Sequence, residues 1–204
     1  MAKSMAKKRI SREYRTALHE AGHAVMTWLK DKRLGLTSID VADFKDKENC
    51  RGISNHYIPK SFFEDMEIGA GAGNGDALLH KMETQLEMLL AGVVAESLWA
   101  GRHNWAGAGV DMEACNDLWW RWWGDNGDLW GAHRRYLLLK VRHELSSARN
   151  RQLIRVVADA LVKLRRLTGK QVHQIICDEL DRQCRQIGAA QARNAAKRQK
   201  QPGG

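Results

Sequence analysis

The sequence predicts a mainly α-helical protein, of the α or α+β class, with a small β-sheet. It has 204 residues, of which only two are proline and 44% are hydrophobic. Ala, Leu, Glu, Arg and Lys are frequent and favour helices, whereas β-favouring runs are confined to residues 36–58. The length suffices for one hydrophobic core. A single domain with tails is therefore expected.

The first helix is predicted over residues 11–30, with Ser11 as a plausible N-cap. Two short runs rich in β-favouring residues follow, Leu36–Val41 and Gly52–Ile58, and Pro59 closes the second. Together these runs predict a small sheet beside the first helix.

The remaining helices are predicted from apolar residues at helical spacing. They cover residues 77–100, 112–123, 134–162 with a break near Ser146, and 170–187, after a turn at Thr168-Gly169. The glycine-rich stretch 69–75 fits no phosphate-binding motif, and the chain has no Walker lysine, so a flexible loop is expected there and no ATPase in this sequence.

Four tryptophans cluster in the predicted helix 112–123, at positions 119, 120, 122 and 123. Tryptophans arranged around a helix usually divide between the core and half-buried positions. Core packing is therefore expected, and an oligomer or partner contact is the alternative.

The net charge of +9 is concentrated at the two ends of the chain. Six cations lie between residues 3 and 15, and six between residues 182 and 200. We expect disordered, solvated basic tails at 1–10 and 188–204 around a domain at 11–187. Without a recognition motif, nucleic-acid binding is not expected.

The sequence also indicates a cytoplasmic protein. Its four cysteines form no Cys-x-x-Cys pair, and the N-terminus lacks the apolar centre of a secretory signal. The longest mostly apolar stretch, Leu86–Ala100, contains Glu87 and Glu96 and is shorter than the roughly 20 residues that cross a bilayer. No membrane span is expected.

The run His19-Glu20-Ala-Gly-His23 carries the clearest chemical signal. Residues four apart project from the same face of a helix, so two imidazoles can bind one metal ion. Glu20 is then placed to accept a proton from a metal-bound water. The pattern predicts a zinc site that catalyses hydrolysis.

A catalytic zinc site needs a third protein ligand. Two acidic residues are candidates: Glu96, on the predicted helix 77–100, and Asp111, at the junction of a loop and the next helix. Their spacing from the histidines does not choose between them.

Several segments resemble, in order, the protease domain of FtsH-type AAA proteases. They are Ala17–Ala24, like the zinc helix; Arg51–Pro59, like the active-site strand; Leu89–Glu96; Gly107–Asp111, like the aspartate element; and Ala158–Gly169. The resemblance covers about residues 11–180 and implies a helical, zincin-like fold with a small sheet near the active-site helix.

The resemblance implies that His19, His23 and Asp111 bind Zn²⁺ and that Glu20 is the catalytic base. Glu96 would orient a ligand histidine from outside the metal's direct ligands. One departure bears on Asp111: Gly109 and Val110 stand where the family has Ser-Asn.

The implied activity is a zinc-dependent endopeptidase that cuts unfolded or extended protein chains. Gly52, Ile53 and Ser54 would bind substrate along a strand edge. Family members carry a membrane anchor and an ATPase and form hexameric rings. Neither segment occurs in this sequence, so the domain would cut unfolded chains alone or with an ATPase in trans, and self-association is expected.

Two other functions remain open. One is a zinc-bearing binding or regulatory module that has lost proteolysis and acts through the basic tails or a Trp-rich surface; the intact Glu20 argues against it. The other is a regulator-cleaving zinc peptidase, but that class lacks the element that Gly107–Asp111 resembles.

Overall fold

The computed structural model describes residues 10–30, 35–41, 52–57, 75–124 and 126–199. Within these ranges the chain forms α1 (Arg12–Lys30), β1 (Gly35–Val41), β2 (Gly52–Tyr57), α2 (Gly75–Ala100), α3 (Gly109–Trp123), α4 (Gly127–Leu145), α5 (Ala148–Leu164), β3 (Arg166–Thr168) and α6 (Gly169–Gln199). The predicted class, mainly α with a small sheet, is confirmed.

Helix α1 lies at the centre of the fold and packs against α2, α5 and β1. Every residue from Ala17 to Thr27 is buried, so neighbours enclose this part of the helix on all sides. Its start is capped as predicted, because the Ser11 hydroxyl accepts the Tyr14 N–H at 3.1 Å.

Helices α1 and α2 approach each other closely at Gly22. A Cβ atom added to Gly22 would lie 2.4 Å from the Ala95 Cβ and 2.7 Å from the Ala91 carbonyl oxygen. Glycine costs about 1 kcal/mol in a helix interior relative to Ala. This close approach requires it.

The sheet has the order β2-β1-β3, and both pairings are antiparallel. In the central strand β1, Ile39 pairs with Ser54 of β2 and with Leu167 of β3. Ile39 and Leu167 are buried in the core. The sequence predicted only a turn near Thr168, because three residues are too few for alternation to reveal a strand.

The predicted break near Ser146 is confirmed, since α5 starts anew where the Ser147 hydroxyl accepts the Asn150 N–H. The prediction that the last helix ends near residue 187 is wrong, because α6 continues to Gln199. Residues 184–194 are exposed, so the high helix propensity of Ala, Gln, Arg and Lys accounts for this extension.

Some predicted segments lie outside the described residues. They are residues 1–9 and 200–204 of the basic tails, residues 69–74 of the glycine-rich stretch, and Ile58 with Pro59 at the end of the second strand.

The tryptophans of α3 divide between the core and the surface. Trp119 is 2% exposed and stacks on Trp123 with ring centroids 4.1 Å apart. Trp122 and Trp123 are half-buried, and Trp120 is 56% exposed. Core packing therefore holds for Trp119, while Trp120 faces solvent.

Among the described helices, none has the length and apolar character that crossing a bilayer demands.

The α1–α2 contact yields a stability prediction. We expect Gly22→Ala to lower the free energy of unfolding by about 1–3 kcal/mol, because the added methyl group overpacks the contact with Ala95. Gly131→Ala in α4 is the matched control: its Cβ would meet no atom within 4 Å, so a gain of about 0.5–1 kcal/mol is expected. Urea unfolding with a chelator present measures the free energy of unfolding of both variants. Equal changes in the two variants would contradict the close contact between α1 and α2.

Candidate metal centre

Helix α1 presents two buried imidazoles on one face. His19 is 7% exposed and His23 is 4% exposed, and their ring centroids lie 4.8 Å apart with the rings edge-on. This is the arrangement that the four-residue spacing predicted. Both rings lie inside the protein, where a polar group needs a partner.

Helix α2 leaves room at the Nε2 atoms of both histidines. A Cβ atom added to Gly92 would lie 2.4 Å from His23 Nε2 and 2.5 Å from His19 Nε2. Any side chain at position 92 would therefore collide with the two nitrogens. The absence of a side chain here is one observation that fits a metal ion.

Asp111 approaches the same two nitrogens from the first turn of α3. Its Oδ2 lies 2.9 Å from His19 Nε2 and 3.5 Å from His23 Nε2. One ligand atom from each of these three residues lies within 4.8 Å of the others, and no other acidic, His or Cys cluster of this kind occurs among the described residues. The structure thus brings Asp111, and not Glu96, to the paired Nε2 atoms.

The tautomer of His23 follows from its hydrogen bond. Its Nδ1 lies 2.7 Å from the Met88 carbonyl oxygen, which can only accept, so Nδ1–H donates and Nε2 points toward Asp111. A carbonyl at this position is a usual partner for a metal-binding histidine, because it orients the ring. The sequence gives no sign of this contact, since it involves a backbone atom.

Glu20 lies on the same helix and is 4% exposed. Its negative charge contributes to raising the pKa of His23, so the carboxylate lies within electrostatic reach of that imidazole. A buried carboxylate beside a histidine pair matches the position that the sequence predicts for a proton acceptor.

Burial and neighbouring charges act in opposite directions on the pKa values of His23 and Asp111. Burial acts to lower the pKa of His23, but the charge and hydrogen bond of Asp111, with Glu20 and Met88, raise it to about 9. Burial acts to raise the pKa of Asp111, yet the two histidines hold it well below its usual range. In the metal-free protein, a proton on His23 balances the Asp111 carboxylate.

Glu96 lies next to the other ring nitrogen of His19, with its Oε2 3.9 Å from His19 Nδ1. This distance is longer than a hydrogen bond, and the predicted role of Glu96 in orienting a histidine stays a prediction. The buried carboxylate accepts hydrogen bonds from Arg15, whose Nε donates at 2.7 Å, and from Asn104, whose Nδ2 donates at 3.4 Å. Neither contact has a signal in the sequence, where Arg15 stands among the cations of the basic N-terminal end.

Gly52, Ile53 and Ser54 lie in β2, whose backbone pairs with Val41, Asp40 and Ile39 of β1. In the order β2-β1-β3, β2 is an outer strand of the described sheet. Strand β2 also packs against α1, the helix that carries the histidines. The backbone of the predicted substrate strand thus lies next to the metal-site helix.

A scan against protein-family models finds no match to this chain, and a search of curated proteins finds no relative. The resemblance to the FtsH-type protease domain therefore rests on the motifs themselves.

The His23–Asp111 pair predicts a pH dependence for the metal-free protein. The folded-state pKa of His23, about 9, exceeds its ordinary value of 6.5. The stabilisation that protonated His23 gives by pairing with Asp111 is therefore complete below about pH 6.5 and is lost as the pH rises through 9. By the linkage of one pKa unit to 1.36 kcal/mol, we expect a loss of about 2–3 kcal/mol.

Urea unfolding in a chelator at pH 6.5 and pH 9 measures this loss. Asp111→Asn is the control, because it removes the carboxylate whose charge and hydrogen bond contribute most to raising the His23 pKa, so the fall should become much smaller. A wild-type protein with the same stability at both pH values would contradict the ion pair.

Proposed function

We propose that the protein is a zinc-dependent endopeptidase. The observation that carries the proposal is the convergence of His19, His23 and Asp111 beside the buried Glu20. Two histidine nitrogens from α1 and one carboxylate oxygen from α3 are a donor set typical of catalytic zinc, which keeps one position free of protein ligands.

Zinc bound by these residues would act as a Lewis acid that polarises a peptide carbonyl and acidifies water. Glu20 is the residue proposed to accept the proton from the attacking water and to pass it to the leaving amine. His23 is held in one orientation by the Met88 carbonyl, and Asp111 offers its Oδ2 to the same space.

The proposed substrates are unfolded or extended protein chains. Strand β2, with Gly52, Ile53 and Ser54, is an outer strand of the described sheet, and an outer strand can bind an extended peptide through backbone hydrogen bonds. Such pairing tolerates many side chains, so weak sequence specificity is part of the proposal.

Two further parts of the proposal follow from the resemblance alone: self-association, and cooperation with an ATPase supplied in trans when the substrate is folded. A cytoplasmic location is proposed from the cysteines and the N-terminal sequence. This domain is proposed to need no ATPase for substrates that are already unfolded.

Replacing the proposed base tests the reaction directly. We expect Glu20→Gln to bind zinc as the wild type does but to lose about 100-fold or more of its hydrolysis of a labelled, unfolded protein. Glu13→Gln, on the same helix and paired with Arg165 on the surface, is the matched control and should keep full activity.

Zinc content and peptide release are measured on the same preparations. Activity that survives in Glu20→Gln would refute Glu20 as the base. A wild-type protein that binds zinc stoichiometrically but releases no peptide would favour the alternative, a binding module that has lost proteolysis.

A further inference from the structure

One residue, Asn104, closes the turn that leads into α3. Its backbone carbonyl accepts the N–H groups of Gly107 at 3.1 Å and Ala108 at 3.2 Å, and its side-chain Oδ1 also accepts the Gly107 N–H at 3.3 Å. A Cβ atom on Gly107 would lie 2.4 Å from Asn104 Nδ2. The Asn104 amide therefore lies directly against the backbone of the turn.

This turn sets the position of Asp111. Helix α3 begins after Ala108, which is 1% exposed and whose carbonyl accepts the Met112 N–H at 2.9 Å. No side chain caps the helix. Asp111 lies three residues beyond Ala108, so a shift of the turn would move the carboxylate relative to the histidines.

The same Asn104 side chain also reaches α2. Its Nδ2 donates to Glu96 Oε2 at 3.4 Å, while the other carboxylate oxygen, Oε1, accepts hydrogen bonds from Arg15 Nε and Nη2. Glu96 is 3% exposed, so this carboxylate is held between two partners inside the protein. A chain of polar contacts thus runs from α1 through α2 to the turn before α3.

We propose that Asn104 is a positioning residue for the metal centre. By joining the turn to the Arg15–Glu96 ion pair, it holds the Asp111 carboxylate at ligand distance from the two imidazoles. This inference rests on the proposed metal centre and gives Glu96 a task besides the predicted one. Glu96 anchors the segment that carries Asp111.

The test measures metal binding rather than catalysis. Zn²⁺ affinity of the full chain is determined by competition with a chromophoric chelator, and the visible spectrum of the Co²⁺-loaded protein reports the ligand geometry. We expect Asn104→Ala to weaken Zn²⁺ binding about 10–100-fold, as is usual when a partner behind a metal ligand is lost, and to change the Co²⁺ spectrum.

Two further variants separate the causes. Asn104→Ser keeps a hydroxyl acceptor for the Gly107 N–H but is too short to reach Glu96, so we expect a loss similar to that of Asn104→Ala. If Asn104→Ala does not fold, this variant provides the comparison. Asn126→Ala is the matched control: Asn126 accepts the Leu129 N–H at 3.0 Å at the start of α4, and its loss should lower stability but leave Zn²⁺ affinity within about twofold.

The outcomes separate this inference from the proposed function. A wild-type protein that binds no divalent ion would overturn both. A wild type that binds Zn²⁺, with Asn104→Ser showing the same affinity and Co²⁺ spectrum, would overturn the positioning role alone. Equal losses of Zn²⁺ affinity in the Asn104 variants and in Asn126→Ala would also overturn the positioning role, since the losses would then reflect general stability.

Discussion

Helices α1 and α2 pack so closely that each carries a glycine at their contact. Gly22 on α1 lies against the Ala91 backbone and the Ala95 methyl group, and Gly92 on α2 lies against the Nε2 atoms of His19 and His23. Two glycines, one on each helix, therefore serve a single interface. The same contact forms the core and leaves the space in which the two imidazoles meet Asp111.

Ion pairs at both ends of this interface hold the helices in register. Near the start of α1, Arg15 pairs with Glu96, and at its end Lys30 lies 2.6 Å from Glu87. Both carboxylates are almost fully buried, and removing the partner of a buried charge usually costs about 3–5 kcal/mol. The histidines lie between these two pairs, so the charges that stabilise the helix pair also restrain the candidate ligands along α1.

Local sequence patterns were enough to predict α1, its cap at Ser11 and the shared face of His19 and His23, because each depends on residues within a few positions of one another. The third carboxylate could not be chosen that way. Asp111 and Glu96 both lie far from the histidines in sequence, and only the packing of α3 against α2 brings Asp111 to them. The motif resemblance favoured Asp111, and the geometry agrees.

Other features had no local signal at all. Strand β3 exists because β1 offers it a partner. Arg15, whose side chain is 31% exposed, forms an ion pair only because α2 supplies the buried Glu96. Asn104 contacts Glu96 only because the turn before α3 lies against α2. The end of the chain shows the reverse case. Its composition suggested disorder beyond Gly188, but the high helix propensity of the same residues extends α6 to Gln199.

The proposed metal centre binds a single zinc ion through two imidazoles and one carboxylate. X-ray absorption spectroscopy of the zinc-loaded protein can examine these ligands, because it distinguishes imidazole, oxygen and sulfur. We expect two imidazoles with oxygen ligands and no sulfur around one zinc per chain, and loss of an oxygen ligand in Asp111→Ala. Sulfur in the first coordination shell, or fewer than two imidazoles, would contradict this ligand set.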